Sequence, residues 1–149
     1  MRNKEHGEQS RDIQTKALIV SYSYSGNIHE IARTLQSVTG ADWCEIYPWQ
    51  PYPVEFPELL QQVQREVKHG YRPRLLPGTK SPRPYSTVFV GSPNWCGTIA
   101  PPLAAWLSGH ALSGKRILPF FLIVEALREI LQETLRLCVQ RRMWDRRLA

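Results

Sequence analysis

From Ser21 to Asn27 the chain reads S-Y-S-Y-S-G-N, three serines alternating with two tyrosines and closed by a glycine and an asparagine. An apolar run precedes this stretch and an amphipathic one follows it, so it reads as a turn between a strand and a helix. Several backbone amides and the hydroxyls of Ser23 and Ser25 then gather at the positive end of a helix dipole, an arrangement that holds an anion. Gly26 lets the backbone approach closely or turn left-handed. Hydrogen bonds to a charged group contribute about 1.5–3 kcal/mol apiece, so four or five hold a phosphate group without a basic residue. The turn contains no lysine, and the chain has neither G-x-x-x-x-G-K-[ST] nor G-x-G-x-x-G. The expected ligand is therefore one dianionic monophosphate ester, with no magnesium ligand beside it. The plainer alternative is that the serines only shape a turn and cap a helix.

A second candidate is Gly91-Ser92-Pro93-Asn94-Trp95-Cys96-Gly97-Thr98, which presents an indole among small residues. The segment reads as a loop after the third strand, with Trp95 at its tip expected to cover something flat, because aromatic stacking adds about 0.5–1.5 kcal/mol beyond buried area. The alternative is an indole packed on its own loop. Nucleophilic chemistry finds no support. Seven-residue windows from Cys44, Cys96 and Cys138 end in Gln50, Pro102 and Trp144 and so contain no C-x5-R, and G-x-S-x-G is missing. His29, His69 and His110 have no carboxylate or nucleophile partner that the sequence identifies, and surface or helix positions account for them.

The elements that must position these residues follow from hydrophobic periodicity. Ala17-Leu18-Ile19-Val20 is a continuous apolar run, as in a strand covered on both faces of a parallel sheet. Ile28, Ile31, Leu35 and Val38 recur at helical spacing, with Asn27 as N-cap, Glu30 completing an approximate capping box and Gly40 as the stop. Trp43–Tyr47 and Thr87–Gly91 read as the second and third strands, and Lys115–Val124 contains a fourth. Between the second and third lies a segment, 48–84, with eight of the twelve prolines. It reads as loops around one amphipathic helix marked by Phe56, Leu59, Leu60, Val63 and Val67. Pro101 and Pro102 start a further helix that buries Leu103, Trp106 and Leu107 and ends at Gly109, and Leu127, Leu131, Leu135 and Cys138 line a final one. Alternating strands and helices predict an α/β domain with a central parallel sheet between helical layers, in which ligands bind at the carboxyl ends of the strands.

With 149 residues, 42% of them hydrophobic, the chain is long enough for one core. Residues 1–15 lack periodicity and are expected to form a flexible leader to a single domain at 16–149. Its longest apolar run, Ile117–Val124, is too short to cross a bilayer, and the first dozen residues are too polar for a signal peptide. Three cysteines without a C-x-x-C pair suit reduced thiols, so a cytoplasmic location and no metal site are expected. The net charge is +6, but the only dense cluster is Arg141, Arg142, Arg146 and Arg147, read as a solvated basic tail and not as a specific nucleic-acid site.

Two segments carry a family resemblance: V-S-Y-S-Y-S-G-N-I-H-E-I-A and V-G-S-P-N-W-C-G-T-I-A-P-P resemble the phosphate turn and the aromatic loop of the flavodoxin family. The likeness runs from about Lys16 to Phe120. It implies a three-layer α/β/α fold with strand order 2-1-3-4-5, non-covalent flavin mononucleotide (FMN), electron transfer and docking to redox partner proteins. Transferred position by position, it implies that Ser23, Tyr24 (through its amide), Ser25, Gly26, Asn27 and the amide of Ile28 surround the phosphate. Ser92, Pro93, Asn94, Trp95, Cys96 and Gly97 then form the loop against the flavin ring. A low-potential carrier is the leading expectation. A small FMN-dependent NAD(P)H or quinone-type reductase, or a flavin-free remnant that binds phosphate or a partner, are the alternatives. Ile28 stands where the family has threonine. The segment 124–149, without glycine or proline, departs from the family's Gly-rich third loop and fifth strand, so four strands, weakened flavin affinity and a homodimer through an exposed edge are expected.

Overall fold

Residues Ala17–Ser21 form β1, and all but the first are buried, as the unbroken apolar run requires. It lies in the middle of a sheet, paired in parallel with β2 (Asp42–Glu45) on one side and β3 (Thr87–Trp95) on the other. Strand β5 (Arg116–Leu122) pairs in parallel with the far side of β3, so the parallel order is β2-β1-β3-β5. The computed structural model describes residues 16–122; the expected leader, the helix from Leu127, the basic tail and Cys138 lie outside the described residues.

The helices form the outer layers. Helix α1 (Asn27–Thr39) packs on the face made by Ile19, Trp43, Phe89 and Phe120, burying Ile28 and Ala32. On the opposite face α2 (Phe56–Lys68) and α3 (Pro101–Ser108) set Leu59, Val63, Leu103 and Trp106 against Leu18, Val20, Val88 and Val90. The three-layer α/β/α architecture with four parallel strands is thus the one expected.

Several local expectations need correction. Asn27 is the first residue of α1 and not its cap: Gly26, at φ +90°, holds the cap position, and no side chain caps the helix. No capping box forms, since the Glu30 carboxylate accepts from Arg33 at 2.7 Å. Val38 is exposed, because ten residues of helix beyond Ile28 turn it roughly 80° away from the buried stripe. Strand β2 stops at Glu45, two residues short of the expected end.

The largest difference is the segment Gly91–Thr98, expected as a loop. Strand β3 runs on through it to Trp95, turns at Cys96-Gly97 and returns as β4 (Thr98–Ile99), antiparallel with Asn94↔Ile99 and Trp95↔Thr98. Cys96 at φ +52° and Gly97 at φ +79° make the two-residue turn of the I′ type, whose twist matches the strands it joins.

The proline-rich connection is also tied down. Trp49 N donates to Arg74 O at 2.7 Å and Leu76 N to Tyr47 O at 2.8 Å, with a Pro48–Leu75 bridge between them. Further along, Lys80 N donates to Cys44 Sγ at 3.3 Å and the Tyr85 hydroxyl to Asp42 at 2.6 Å. These bonds fasten the connection to β2 and to the residues that follow it.

Candidate functional site

The turn after β1 and the β3–β4 hairpin emerge at the same end of the sheet, since β1 and β3 are parallel neighbours with Ser21 opposite Gly91. Ser21 itself is buried, its Oγ accepting from Trp43 Nε1 at 2.9 Å. Tyr22 N donates to Gly91 O at 3.0 Å, which carries the ladder one residue further before the chain leaves for the turn.

Within the turn Ser23 Oγ accepts from Gly26 N at 3.1 Å, and Ser25 Oγ accepts from Asn27 Nδ2 at 3.1 Å. Ser25 and Gly26 are exposed, and Ser23 and Asn27 partly so. The first backbone bond of α1 is Glu30 N to Gly26 O, 3.1 Å. The amides of Asn27, Ile28 and His29 therefore belong to the first turn, where no intrahelical acceptor exists, and no side chain takes that role. An ideal Cβ on Gly26 would meet nothing within 4 Å, so open space lies in front of the turn. Ile28 offers only its amide: the side chain is 1% exposed and sits in the core.

Trp95, expected at a loop tip, is 5% exposed and lies below the hairpin turn. Three tyrosines meet it edge-on: Tyr52 at 4.9 Å between centroids, Tyr22 at 5.6 Å and Tyr24 at 5.8 Å. Such edge-to-face contacts are a favoured aromatic geometry, and here they fill the space beside the phosphate-type turn. Tyr24 is the exposed member at 38%, held by its hydroxyl donating to Pro53 O at 2.6 Å. Ser92 and Pro93 are buried as well. The Ser92 hydroxyl donates to Pro93 O and accepts from Ala100 N, both at 2.8 Å, and so fixes the hairpin base to the start of α3. The residues of this segment that reach the surface are Asn94, in part, with Cys96 and Gly97 at the tip and Thr98 just after it. Asn94 Oδ1 is buried and has no hydrogen-bond partner.

Two features escaped the sequence reading. The tyrosines at 22 and 52 are part of the aromatic cluster, and the alternation of aromatic and proline residues in W-Q-P-Y-P was the available signal for the second. His29 does have a carboxylate partner, contrary to expectation: its Nδ1 lies 2.9 Å from Glu45 Oε2 and its ring packs on Trp43 at 4.8 Å. Tyr47 donates to the same Glu45 oxygen at 2.6 Å, and this bond, followed by burial, pushes the Tyr47 phenol up to about 12. Trp43, Glu45 and Tyr47 alternate along β2 and just past its end, which relates them to one another but does not point to His29.

The arrangement as a whole can cradle a phosphoryl anion at the helix start and place a planar group beside Tyr24 and the hairpin tip. The chain shares its fold with solved structures. One is a candidate flavoprotein from Bacteroides eggerthii, 26% identical, with a TM-score of 0.65 over 71% of this chain and 69% of that one. A candidate flavoprotein from Bacteroides uniformis is 21% identical, with a TM-score of 0.65 over 71% and 70%. A flavoprotein from Lactobacillus acidophilus, solved in complex with FMN, is 21% identical, with a TM-score of 0.63 over 72% and 74%. A search of curated proteins finds no significant match. The sequence profile of the flavodoxin family matches residues 16–144, and with that match spanning most of its length the chain belongs to the flavodoxin family.

Proposed function

We propose that the protein binds FMN without a covalent link at the carboxyl ends of β1 and β3 and serves as a low-potential electron carrier for partner proteins. The observation that carries this reading is the uncapped start of α1. A 13-residue helix begins at a left-handed glycine with two serines and open space before it, a donor set suited to a phosphate monoester. The donor chemistry fits the cofactor at its other end too. Asn94 Oδ1 is a leftover acceptor for an imide N–H such as a flavin ring carries, and a buried acceptor without a partner costs about 1–3 kcal/mol until one arrives. Family membership and the FMN complex of the Lactobacillus relative support the same reading.

Bound FMN would supply the one- and two-electron chemistry, and the protein's residues would hold it, orient it and keep water away. Ser23 and Ser25 would exchange their present partners, Gly26 N and Asn27 Nδ2, for phosphate oxygens, joined by the amides of Tyr24, Gly26, Asn27 and Ile28. The Tyr24 ring, fixed by Pro53, would form one wall. Asn94, Cys96 and Gly97 would border the ring from the hairpin, while Ser92, Pro93 and Trp95 would act from beneath, keeping the hairpin and Tyr24 in place. The family threonine at position 28 is missing, so affinity is expected to fall short of that of a chain with the full set of hydroxyls.

Equilibrium dialysis of the purified chain against FMN tests the assignment. Saturable uptake is expected, and the double variant S23A/S25A should lower affinity by about tenfold or more, the equivalent of one charge-assisted hydrogen bond. Uptake that the double variant leaves unchanged would place the cofactor elsewhere.

A further inference from the structure

Beside Tyr52, and sharing no residue with the β1 turn, the chain entering α2, one face of α2 and the segment after it enclose a cavity of about 260 Å³. Trp49, Tyr52, Gln62, Glu66, Tyr71 and Arg74 are among its walls. Glu66 is 8% exposed, and its carboxylate accepts from the Tyr52 hydroxyl at 2.5 Å and from Gln62 Nε2 at 2.8 Å. Both donors are neutral. The ion pairs among the described residues are His29–Glu45 and Arg33–Glu30, and Glu66 is in neither. Buried carboxylates are ordinarily paired with a cation, and this one has used two of about four lone-pair sites.

At the rim of the same cavity the Arg74 guanidinium lies over the Trp49 ring, 4.4 Å from its centroid. Stacking uses the face of the guanidinium and leaves its edge, with five N–H donors, to bind a carboxylate. One wall thus presents a carboxylate and another a guanidinium, and the two do not meet. A simple cation is repelled by Arg74 and a simple anion by Glu66, and an uncharged ligand leaves both unmatched. We propose that this cavity binds a small zwitterion of the free α-amino-acid class, its ammonium on Glu66 and its carboxylate on Arg74. The volume, just below the roughly 300–1,000 Å³ of drug-sized sites, limits the occupant to that size. Trp49 and Tyr71, both about half exposed, offer apolar surface to its side chain. This site is separate from the β1 turn and does not depend on flavin.

Calorimetry and tryptophan fluorescence on the full chain, with L-leucine, L-glutamate, L-glutamine and L-arginine as probes, test the proposal. At least one is expected to bind saturably. Its decarboxylated and deaminated counterparts (isopentylamine and isocaproate for leucine) should bind about tenfold more weakly or worse, as should E66Q and R74Q with the intact probe. R74Q alters an exposed position, so it keeps the test standing if E66Q does not fold. The site is refuted if no probe saturates in the millimolar range, if the amine binds as tightly as the amino acid, or if R74Q leaves binding unchanged.

Discussion

Ile28 shows how one position serves two demands. Its amide lies in the first turn of α1, beside the proposed phosphate site, while its side chain is buried in the core at 1% exposure. In the sequence this position is a lost hydroxyl. The structure supplies the compensating interest, since a threonine would exchange buried methylene surface for a hydroxyl that must find a partner, and such swaps are not isosteric. I28T is therefore expected to lower folding stability by about 1–3 kcal/mol, seen as a lower urea midpoint at unchanged slope. A midpoint equal to the wild type's would mean that this side chain does not carry the packing assigned to it. The neighbouring His29 illustrates the opposite limit of sequence reading. Its partner Glu45 is 16 residues away on another element, and nothing short of knowing that β2 pairs beside β1, under α1, brings the two together.

The β3–β4 hairpin is built from residues whose types suggest a different element. Glycine, proline and asparagine in Gly91–Thr98 read as loop chemistry, yet each has a use in a strand that passes close neighbours. At Gly91 an ideal Cβ would lie 2.2 Å from Phe120 Cζ, so the absent side chain is what lets the Phe120 ring lie across β3. Cys96-Gly97 reads differently once both φ values are known to be positive, because a I′ turn joins two strands where an open loop was expected. Among the described residues Cys96 is the non-glycine residue forced into the left-handed region, at roughly 1–2 kcal/mol for an ordinary side chain. Asparagine tolerates that region and leads the preference for this turn position. C96N should thus raise stability by about 1 kcal/mol, whereas the β-branched C96V should lower it by a similar amount, both measured by chemical denaturation. If the two variants do not fall on opposite sides of the wild type, the strain assigned to Cys96 is not there.

For the molecule as a whole, the parallel core was legible because it rests on local periodicity: apolar runs for β1 and β3, and helical stripes for α1 and α2. The arrangement around β2 was not. The connection from α2 to β3 is fastened by bonds between residues far apart in sequence, chief among them the Tyr85 hydroxyl to Asp42, which spans 43 residues. That bond, the largest cause in each case, holds the Asp42 carboxyl below the usual carboxylate range and, with burial, pushes the Tyr85 phenol up to about 12. The bond needs a deprotonated Asp42 and a protonated Tyr85, which fixes its pH window. A carboxyl depressed by folding contributes stability above its unfolded value of about 4, lost as pH falls through the lower folded one; a phenol raised by folding contributes below its unfolded value of about 10, lost as pH rises towards 12. Tyr47, also raised to about 12 by its bond to Glu45, and Tyr52, raised by burial and then by Glu66, add to the alkaline limb of the wild type. Comparison with Y85F isolates the one bond. The variant should be less stable than the wild type by a constant amount between about pH 5 and 9, and the gap should close at both ends, below about pH 4 and above about pH 10. Unfolding midpoints followed across that range decide the matter: a gap that stays the same at every pH would mean that Tyr85 fastens the connection by packing alone and that its hydroxyl contributes nothing through Asp42.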